Sequence, residues 1–170
     1  KEIVPVLIRD LGSKNPMEVP RVQKIVINVG IGASKSDPKL IETVERTLTR
    51  ITGQHPVKTL ARKSIASFKI RERMPVGMIV TLRGARMWDF LEKLVRVSLP
   101  RVRDFRGIAK SNVDASGILS IGFREQVPFP EIRSDEVEGL HGLQVTIVTD
   151  AGTKERGMAL FRALGFPFQV

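Results

Sequence analysis

Lysine and arginine side chains are the residues of this chain whose number and spacing could do chemistry, and that chemistry is the binding of a polyanion. The 170-residue chain has 28 Lys or Arg against 18 Asp or Glu, a formal net charge of +10. Thirteen basic residues and four acids lie between Arg62 and Lys110, so this window alone carries +9. Aliphatic residues alternate with the charges there. This pattern indicates a folded basic surface and favours a polyanion as partner.

The other polar residues give little support for catalysis or metal binding. The chain has no Cys, which excludes a disulfide framework and a thiolate metal site. No nucleophile or carboxylate pair stands at a diagnostic spacing from His55 or His141, so we interpret both as exposed loop residues. An RNA-processing enzyme remains an alternative that would need clustered acids or a paired histidine on the basic face. We expect a protein that is not an enzyme and has no cofactor and no metal.

One short match suggests a phosphate-binding loop. Gly30-Ile31-Gly32 follows a predicted strand and precedes a helix, as in the opening of a G-x-G-x-x-G loop. Lys35 stands where the third Gly belongs, and the Asp37 carboxylate would occupy the phosphate position at the helix N-terminus. We therefore interpret the segment as a strand-to-helix connector in which Asp37 and Pro38 begin the helix.

Hydrophobic periodicity predicts the elements that must position the basic residues. Helices are predicted at 1–11, from Pro38 to a stop at Gly53, at 86–99 with Pro100 ending it, and at 154–164. Strands are predicted at 22–30, 57–60, from Met78 to Arg83, and over 119–124 and 143–148. Met74 to Gly77 is expected to form the tip of a long loop, and Trp88 to pack in the core or between its helix and the sheet.

The strands share one pattern: one face is aliphatic and the other is polar. The polar positions are Asn28, Thr81, Arg83, Ser120, Arg124, Gln144 and Thr146. Helices must cover the aliphatic face, so hydroxyl, amide and guanidinium groups remain on an open face, where they could contact RNA. The alternative is an ordinary wet face of an antiparallel sheet.

Several binding modes are disfavoured. The chain has no Tyr and no paired strand aromatics for stacking bases, so RNA would be read mostly by shape. No helix-turn-helix, zinc-finger or basic-zipper pattern indicates sequence-specific DNA binding. Peripheral membrane association would need a basic amphipathic helix, whereas the polar face of 86–99 has mixed charge. Without a long apolar run or a signal-peptide pattern at Lys1, we expect an intracellular protein with no membrane partner.

Seven segments together resemble the bacterial and organellar form of large-subunit ribosomal protein five, the family that binds 5S ribosomal RNA. They are VPRVQKIVINVGIG (19–32), ITGQHP (51–56), ARKSIASFKIR (61–71), MPVGMIVTLRGARMWDFLEKL (74–94), LPRVRDFRG (99–107), REQVPFPEI (124–132) and LGFPF (164–168). The resemblance runs from end to end in the same order. It implies an α+β fold: an antiparallel sheet with helices packed on one face and an open polar RNA-binding face.

The resemblance also implies positions for three functions. In this family the open sheet face and nearby loops hold 5S ribosomal RNA; the matching residues here are Asn28, Gln54 and Thr81, and the neighbouring residues expected to join them are Arg62, Lys63, Ser64 and Arg83. The long loop reaches peptidyl-site transfer RNA and corresponds to Phe68, Lys69, Arg71, Arg73 and Met74. Other exposed loops bridge to small-subunit protein thirteen and correspond to Asp104, Arg106, Asp114, Arg133 and Asp135. Arg73 departs from the family, which usually has Gly at that position.

The organisation implied is one ribosomal domain over 1–170, with a long basic loop at about 61–77 and exposed loops at about 101–117 and 131–142. The implied partners are 5S and 23S-type ribosomal RNA, peptidyl-site transfer RNA, small-subunit protein thirteen and other 5S-binding proteins. We expect a monomer within the large ribosomal subunit of a bacterial cytoplasm, with a plastid stroma as the alternative.

Overall fold

The apolar alternation of the strands produces a five-stranded antiparallel sheet, which with its helices gives the predicted α+β fold. The structure is a computed structural model that describes residues 3–13, 15–32, 38–132 and 139–169. The strands are β1 (Val22–Gly30), β2 (Val57–Leu60), β3 (Pro75–Leu82), β4 (Leu119–Phe123) and β5 (Leu143–Thr149). Their order in the sheet is β2-β3-β1-β5-β4. The α-helices of the described ranges are α1 (Ile3–Leu11), α2 (Pro38–Thr52), α3 (Gly84–Lys93) and α4 (Lys154–Ala163).

Strand β3 begins earlier than its apolar alternation predicts. It starts at Pro75 rather than Met78, so the expectation that Met74 to Gly77 forms a loop tip is wrong. Antiparallel pairing with β2 extends through Thr59↔Gly77 to Leu60↔Pro75, with a register shift between Thr59 and Leu60. Proline is tolerated at the first residue of a strand because its missing N–H removes no interior ladder bond.

The chain divides into two compact units, of which the first comprises Lys1–Ile25, Arg83–Ile121 and Thr146–Val170. In this unit α1 lies against α4. Phe161 of α4 is buried and packs edge-to-face on Phe166, with ring centroids 5.5 Å apart. A Cβ on Gly157 would lie 2.6 Å from the Cα of Gly117. Helix α4 therefore packs against the backbone at Gly117 at a distance that only glycine at both positions allows.

The helix predicted over 86–99 changes type along its length. It runs as α3 from Gly84 to Lys93, continues as a π-helical turn over Leu94–Ser98 and ends in a 3-10 turn at Leu99–Arg101. The amide of Leu99 donates to the Leu94 carbonyl, five residues back. Pro100 explains the wider turn, because it has no N–H and its ring would clash with the carbonyl four residues earlier.

Trp88 does not lie in the core, so the first of its two expected placements is wrong. Its residue surface is 47% exposed, whereas Met87, Phe90 and Leu91 of the same helix are buried. These three follow the i, i+3, i+4 spacing of one helix face. Position 88 is rotated about 100° from 87 and therefore falls beside that face.

The second unit comprises Val26–Leu82 and Gly122–Val145. Helix α2 lies against β3 and buries Val44, Leu48 and Ile51. Strand β3 buries Met78, Val80 and Leu82. After β4 the chain turns so that Phe129 is fully buried with its ring centroid 5.4 Å from that of Phe123. The aliphatic face predicted for these strands is therefore covered.

Asp37, the predicted helix cap, lies outside the described residues.

His141 is buried, so its interpretation as an exposed loop residue is wrong. Only 8% of its surface is exposed, and neither ring nitrogen has a hydrogen-bond partner among the residues that the structure describes. Its backbone N–H donates to Oε1 of Gln126 at 2.9 Å, and Nε2 of Gln126 donates to the Gly139 carbonyl at 2.7 Å. This amide clamp draws 139–141 inward. Desolvation lowers the pKa of His141, and the nearby Gly142 backbone opposes the shift to a smaller extent.

This burial predicts a loss of stability on mild acidification. The unfolded chain protonates His141 near its ordinary pKa of 6.5, while the folded chain resists protonation. The unfolded state then binds more protons, so the free energy of unfolding falls as pH drops below 6.5, by up to about 1.4 kcal/mol per pH unit. Urea titrations between about pH 7.5 and 5.5 measure this slope, and His141→Gln should make it shallower. Equal slopes for the two proteins would contradict the assignment.

Candidate nucleic-acid interface

Polar side chains of the second unit lie on the face of the strands opposite the buried aliphatic residues. Asn28 of β1 is exposed, and Thr59 of β2 and Thr81 of β3 are half-buried. Thr59 pairs with Gly77. A Cβ built on Gly77 would lie 3.0 Å from Oγ1 of Thr59 and 3.9 Å from Oδ1 of Asn28, which places all three residues on one face. Because side chains alternate along a strand, Ile79 and Thr81 follow Gly77 on that face. We call this surface the open face.

Gln54 and Thr81, two of the residues implied by the resemblance, are brought together. The side-chain Nε2 of Gln54 donates to the backbone carbonyl of Thr81 at 3.4 Å. Gln54 is positioned by the end of α2, where its backbone N–H donates to Oγ1 of Thr52 at 3.2 Å. Gln54 therefore stands at the end of the open face, beside β3 and 27 residues away from Thr81 in sequence.

Lys58 projects to the opposite side of β2. Its Nζ lies 2.9 Å from Oε2 of Glu45 in α2, and Nε2 of His55 lies 3.1 Å from the other carboxylate oxygen. The hydrogen bond from Lys58 holds the pKa of Glu45 below its ordinary range. Lys58 is thus occupied on the helix side, while its neighbours Val57 and Thr59 belong to the open face.

The basic segment between β2 and β3 is an ordered hairpin-like extension, which we call the arm (residues 61–74). Backbone bonds pair Ala61 with Met74 and Arg73 at its base, at 2.8 and 2.9 Å. Ile65 and Ile70 exchange two backbone bonds further out. A 3-10 turn at Ala66–Phe68 closes the end, so the tip lies there and not at 74–77.

The arm presents its cations and an aromatic side chain to solvent. Phe68 at the tip is 63% exposed. The exposed basic residues of the arm are Arg62, Lys63, Lys69, Arg71 and Arg73. Ser64 is exposed too, but its Oγ accepts from the Glu72 amide at 2.9 Å and so helps to shape the arm. Met74 is half-buried in the base.

In the first unit, two hydroxyls predicted on the polar face meet across neighbouring strands. Oγ of Ser120 and Oγ1 of Thr146 are 3.3 Å apart, and both side chains are part-buried. Arg83 is exposed but stands one residue beyond β3, at the N-cap of α3. It is therefore a residue of the strand-to-helix junction and not of the strand face.

Three of the five residues implied for an intersubunit bridge, Asp104, Arg106 and Asp114, lie within the described residues. Asp104 and Arg106 are exposed, and Asp104 has a left-handed backbone with φ of 54°. Asp114 is exposed, but its Oδ1 accepts from the amides of Ser116 at 2.9 Å and Ile118 at 2.8 Å, which holds a turn together. Arg133 and Asp135 lie outside the described residues.

Other kinds of site find no support in the part of the chain that the structure describes. It contains no group of three or more His, Cys, Asp or Glu placed to hold a metal ion. Among its helices, none has the length and apolar character that crossing a membrane requires. What these ranges do offer is a sheet face on which neutral polar groups stand together and an arm that presents cations to solvent.

Sequence reasoning missed Thr59 as a member of the open face. Its strand is only four residues long, and three of the four are exposed, so alternation alone does not distinguish its two faces. The pairing of Thr59 with Gly77 decides the question. The ion pair between Lys58 and Glu45 gives the same answer, because it places Lys58 on the helix side and Thr59 on the other. Both contacts join distant segments, so the sequence offers no signal for them.

Comparison with known proteins shows similarity over almost the whole chain. Residues 15–71 match the family described as ribosomal protein L5, and residues 75–168 match the ribosomal L5P family C-terminus. The large ribosomal subunit protein uL5 of Herpetosiphon aurantiacus is 51% identical over 169 residues, covering 99% of this chain and 94% of the relative. The uL5 protein of Halothermothrix orenii is 52% identical over 168 residues, with the same coverage. That of Colwellia psychrerythraea is 49% identical over 167 residues, covering 98% and 92%.

Backbone geometry predicts that glycine suits position 73 of the arm better than arginine. Arg73 has φ of 63°, a left-handed conformation that disfavours L side chains. Arg73→Gly should therefore leave the free energy of unfolding unchanged or raise it by up to about 1 kcal/mol, whereas β-branched Arg73→Val should lower it by about 1–2 kcal/mol. Urea unfolding, with amide exchange at Ala61 and Arg73 as a local measure, tests this. Arg71→Gly is the matched control: φ there is not positive, so glycine should bring no gain.

Proposed function

Because the chain belongs to the L5 family of large-subunit ribosomal proteins, we propose that it binds 5S ribosomal RNA through the open face and helps to attach that RNA in the central protuberance. The family is one of structural ribosomal proteins and not of enzymes. The bacterial relatives support a place in the large subunit of a bacterial cytoplasm. The neighbours proposed there are 23S-type RNA and other 5S-binding proteins.

One observation carries the proposal for 5S binding: neutral polar groups of three separate segments come together on one sheet face. Asn28 is exposed with no side-chain hydrogen bond within the described ranges, and Gln54 and Thr81 adjoin each other. Such groups suit ribose and base edges. Arg62 and Lys63, exposed at the root of the arm, supply the cations that phosphates require.

The arm supports a second contact, with transfer RNA in the peptidyl site. Its backbone pairing holds Phe68 and Lys69 at a projecting tip, where both are exposed. Transfer RNA carries phosphates that pair with Lys69 and Arg71, and unstacked bases that pack on an aromatic ring. The arm is thus suited to reach a second RNA while the open face holds the first.

The loops of the first unit are proposed to form the intersubunit bridge to small-subunit protein thirteen. Asp104 and Arg106 offer one charge of each sign to a protein partner. Asp114 shapes its turn through two backbone amides, so its share in the bridge is to present that turn. The proposed share of Arg133 and Asp135 rests on the family resemblance.

Removing the open-face polar groups should weaken 5S binding without unfolding the chain. Asn28→Ala and Thr81→Ala should each cost about 0.5–1.5 kcal/mol of binding free energy, the usual net worth of a hydrogen bond. Filter binding to 5S RNA measures the affinity, and circular dichroism melts report folding. Gln23→Ala is the matched control, because Gln23 is an exposed amide of β1 with the opposite strand parity from Asn28.

Two further measurements in the same experiment test the phosphate contacts and the specificity: the salt dependence of the affinity and the affinity for other duplex RNAs. The logarithm of affinity should fall with the logarithm of salt by roughly 0.7–0.9 per phosphate neutralised. Affinity that is independent of salt, or equal for any duplex RNA, would contradict the proposal. Unfolding caused by either alanine variant would contradict the assignment of the open face.

Charge reversal at two exposed positions should separate the contacts with transfer RNA and the small subunit. Lys69→Glu should weaken peptidyl-site transfer RNA binding by about tenfold, since it replaces a charged hydrogen bond with repulsion. Arg106→Glu should weaken small-subunit joining instead. Large subunits assembled with each variant serve for both assays, and each variant is the control for the other. If both assays respond equally to both substitutions, the division of roles is wrong.

A further inference from the structure

The open face has a notch at Gly77. Thr59 and Asn28 stand on either side of this glycine, on β2 and β1. A Cβ there would lie 2.9 Å from the Val29 carbonyl and 3.0 Å from Oγ1 of Thr59, closer than Cβ atoms normally approach other atoms, so a larger residue would clash with both neighbouring strands. Glycine therefore allows both neighbouring strands to approach closely, and it leaves the backbone of β3 without a covering side chain between Thr59 and Asn28.

The groups beside the notch are neutral and available. Within the described ranges neither the Thr59 hydroxyl nor the Asn28 amide makes a side-chain hydrogen bond. The nearest basic residue in sequence, Lys58, is turned to the other side of β2, where it pairs with Glu45 at 2.9 Å. The row Thr59, Gly77, Asn28 thus offers a hydroxyl and an amide, each able to donate and to accept, and no charge.

This chemistry fits a ribose better than a phosphate. A phosphate only accepts hydrogen bonds and gains most from cations, which are placed on the arm. A ribose 2'-hydroxyl both donates and accepts, as the Thr59 and Asn28 side chains do. On the proposed function of the open face, the geometry points to the notch as a ribose site: Thr59 bonds a 2'-hydroxyl of the bound RNA and so contributes to the choice of RNA over DNA.

Thr59→Val tests the contact with little change of shape. Valine is β-branched like threonine and suits a strand, so the variant should keep its melting temperature within a few degrees. Its affinity for 5S RNA should fall about three- to tenfold, the worth of one neutral hydrogen bond. The slope of affinity against salt should not change, because no phosphate contact is lost.

Two controls separate the hydroxyl from other effects. Thr59→Ser retains the hydroxyl and should bind within about twofold of the original chain, because the proposed hydrogen bond survives. Thr49→Val removes a hydroxyl of the same unit that donates to the Glu45 carbonyl at 2.8 Å within α2, and it should leave RNA affinity unchanged. Arg62→Ala provides the contrast in salt dependence, since it should reduce the slope by roughly 0.7–0.9.

Interference mapping identifies the group on the RNA. Transcripts of 5S RNA with scattered 2'-deoxy nucleotides are selected by binding, and the original chain should exclude deoxy substitution at one or two positions. With Thr59→Val those exclusions should disappear while the others remain. The ribose assignment is overturned if Thr59→Val binds as tightly as the original chain. It is also overturned if the excluded positions persist, or if only base-edge analogues respond. Failure of the original chain to prefer 5S RNA over competitor duplexes would overturn the proposed function and the notch with it.

Discussion

Burial of every second side chain along the strands is the constraint on which the rest of the structure depends. Ile25, Ile27 and Val29 of β1 are fully buried, and so are Met78 and Leu82 of β3. Each such side chain contributes about 1.5–3 kcal/mol of burial free energy. A slip of one residue would turn all of them outward, so the register is strongly determined. The alignment of Thr59, Gly77 and Asn28 on the other face follows from that register, so burial on one face of the sheet positions the polar groups on the other.

The arm obeys a different balance of forces from the sheet. Its residues from Arg62 to Lys69 are exposed, and backbone bonds at its base and near its tip maintain its shape. Two of its residues, Lys69 and Arg73, have positive φ, which is costly for residues with side chains. Five exposed cations also repel one another along it. A polyanion would relieve this repulsion, so the features that weaken the arm in isolation suit it to bind one.

Internal hydrogen bonds separate structural polar residues from those available to a partner. Lys58 is paired with Glu45, Asp114 is bonded to two backbone amides, and Gln126 clamps 139–141. These groups shape the elements around them. Asn28 and Thr59 have no such bonds within the described ranges, although they too are polar residues of strands or loops. Exposure and hydrogen bonding therefore discriminate between residues that residue type alone would treat alike.

The sequence by itself determined the fold class, the bounds of β1 and β2 and the concentration of basic charge, because period-two alternation and net charge are properties of consecutive residues. Alternation also predicted Asn28 and Thr81 on the polar face. Only the tertiary structure decided which residues of β2 share that face, since a four-residue exposed strand takes its register from β3. The same holds for the tip of the arm and the widened turn at Leu94–Ser98. It holds as well for the burial of His141, which depends on the Gln126 clamp 15 residues away. These features arise from contacts between distant segments, and no local pattern contains them.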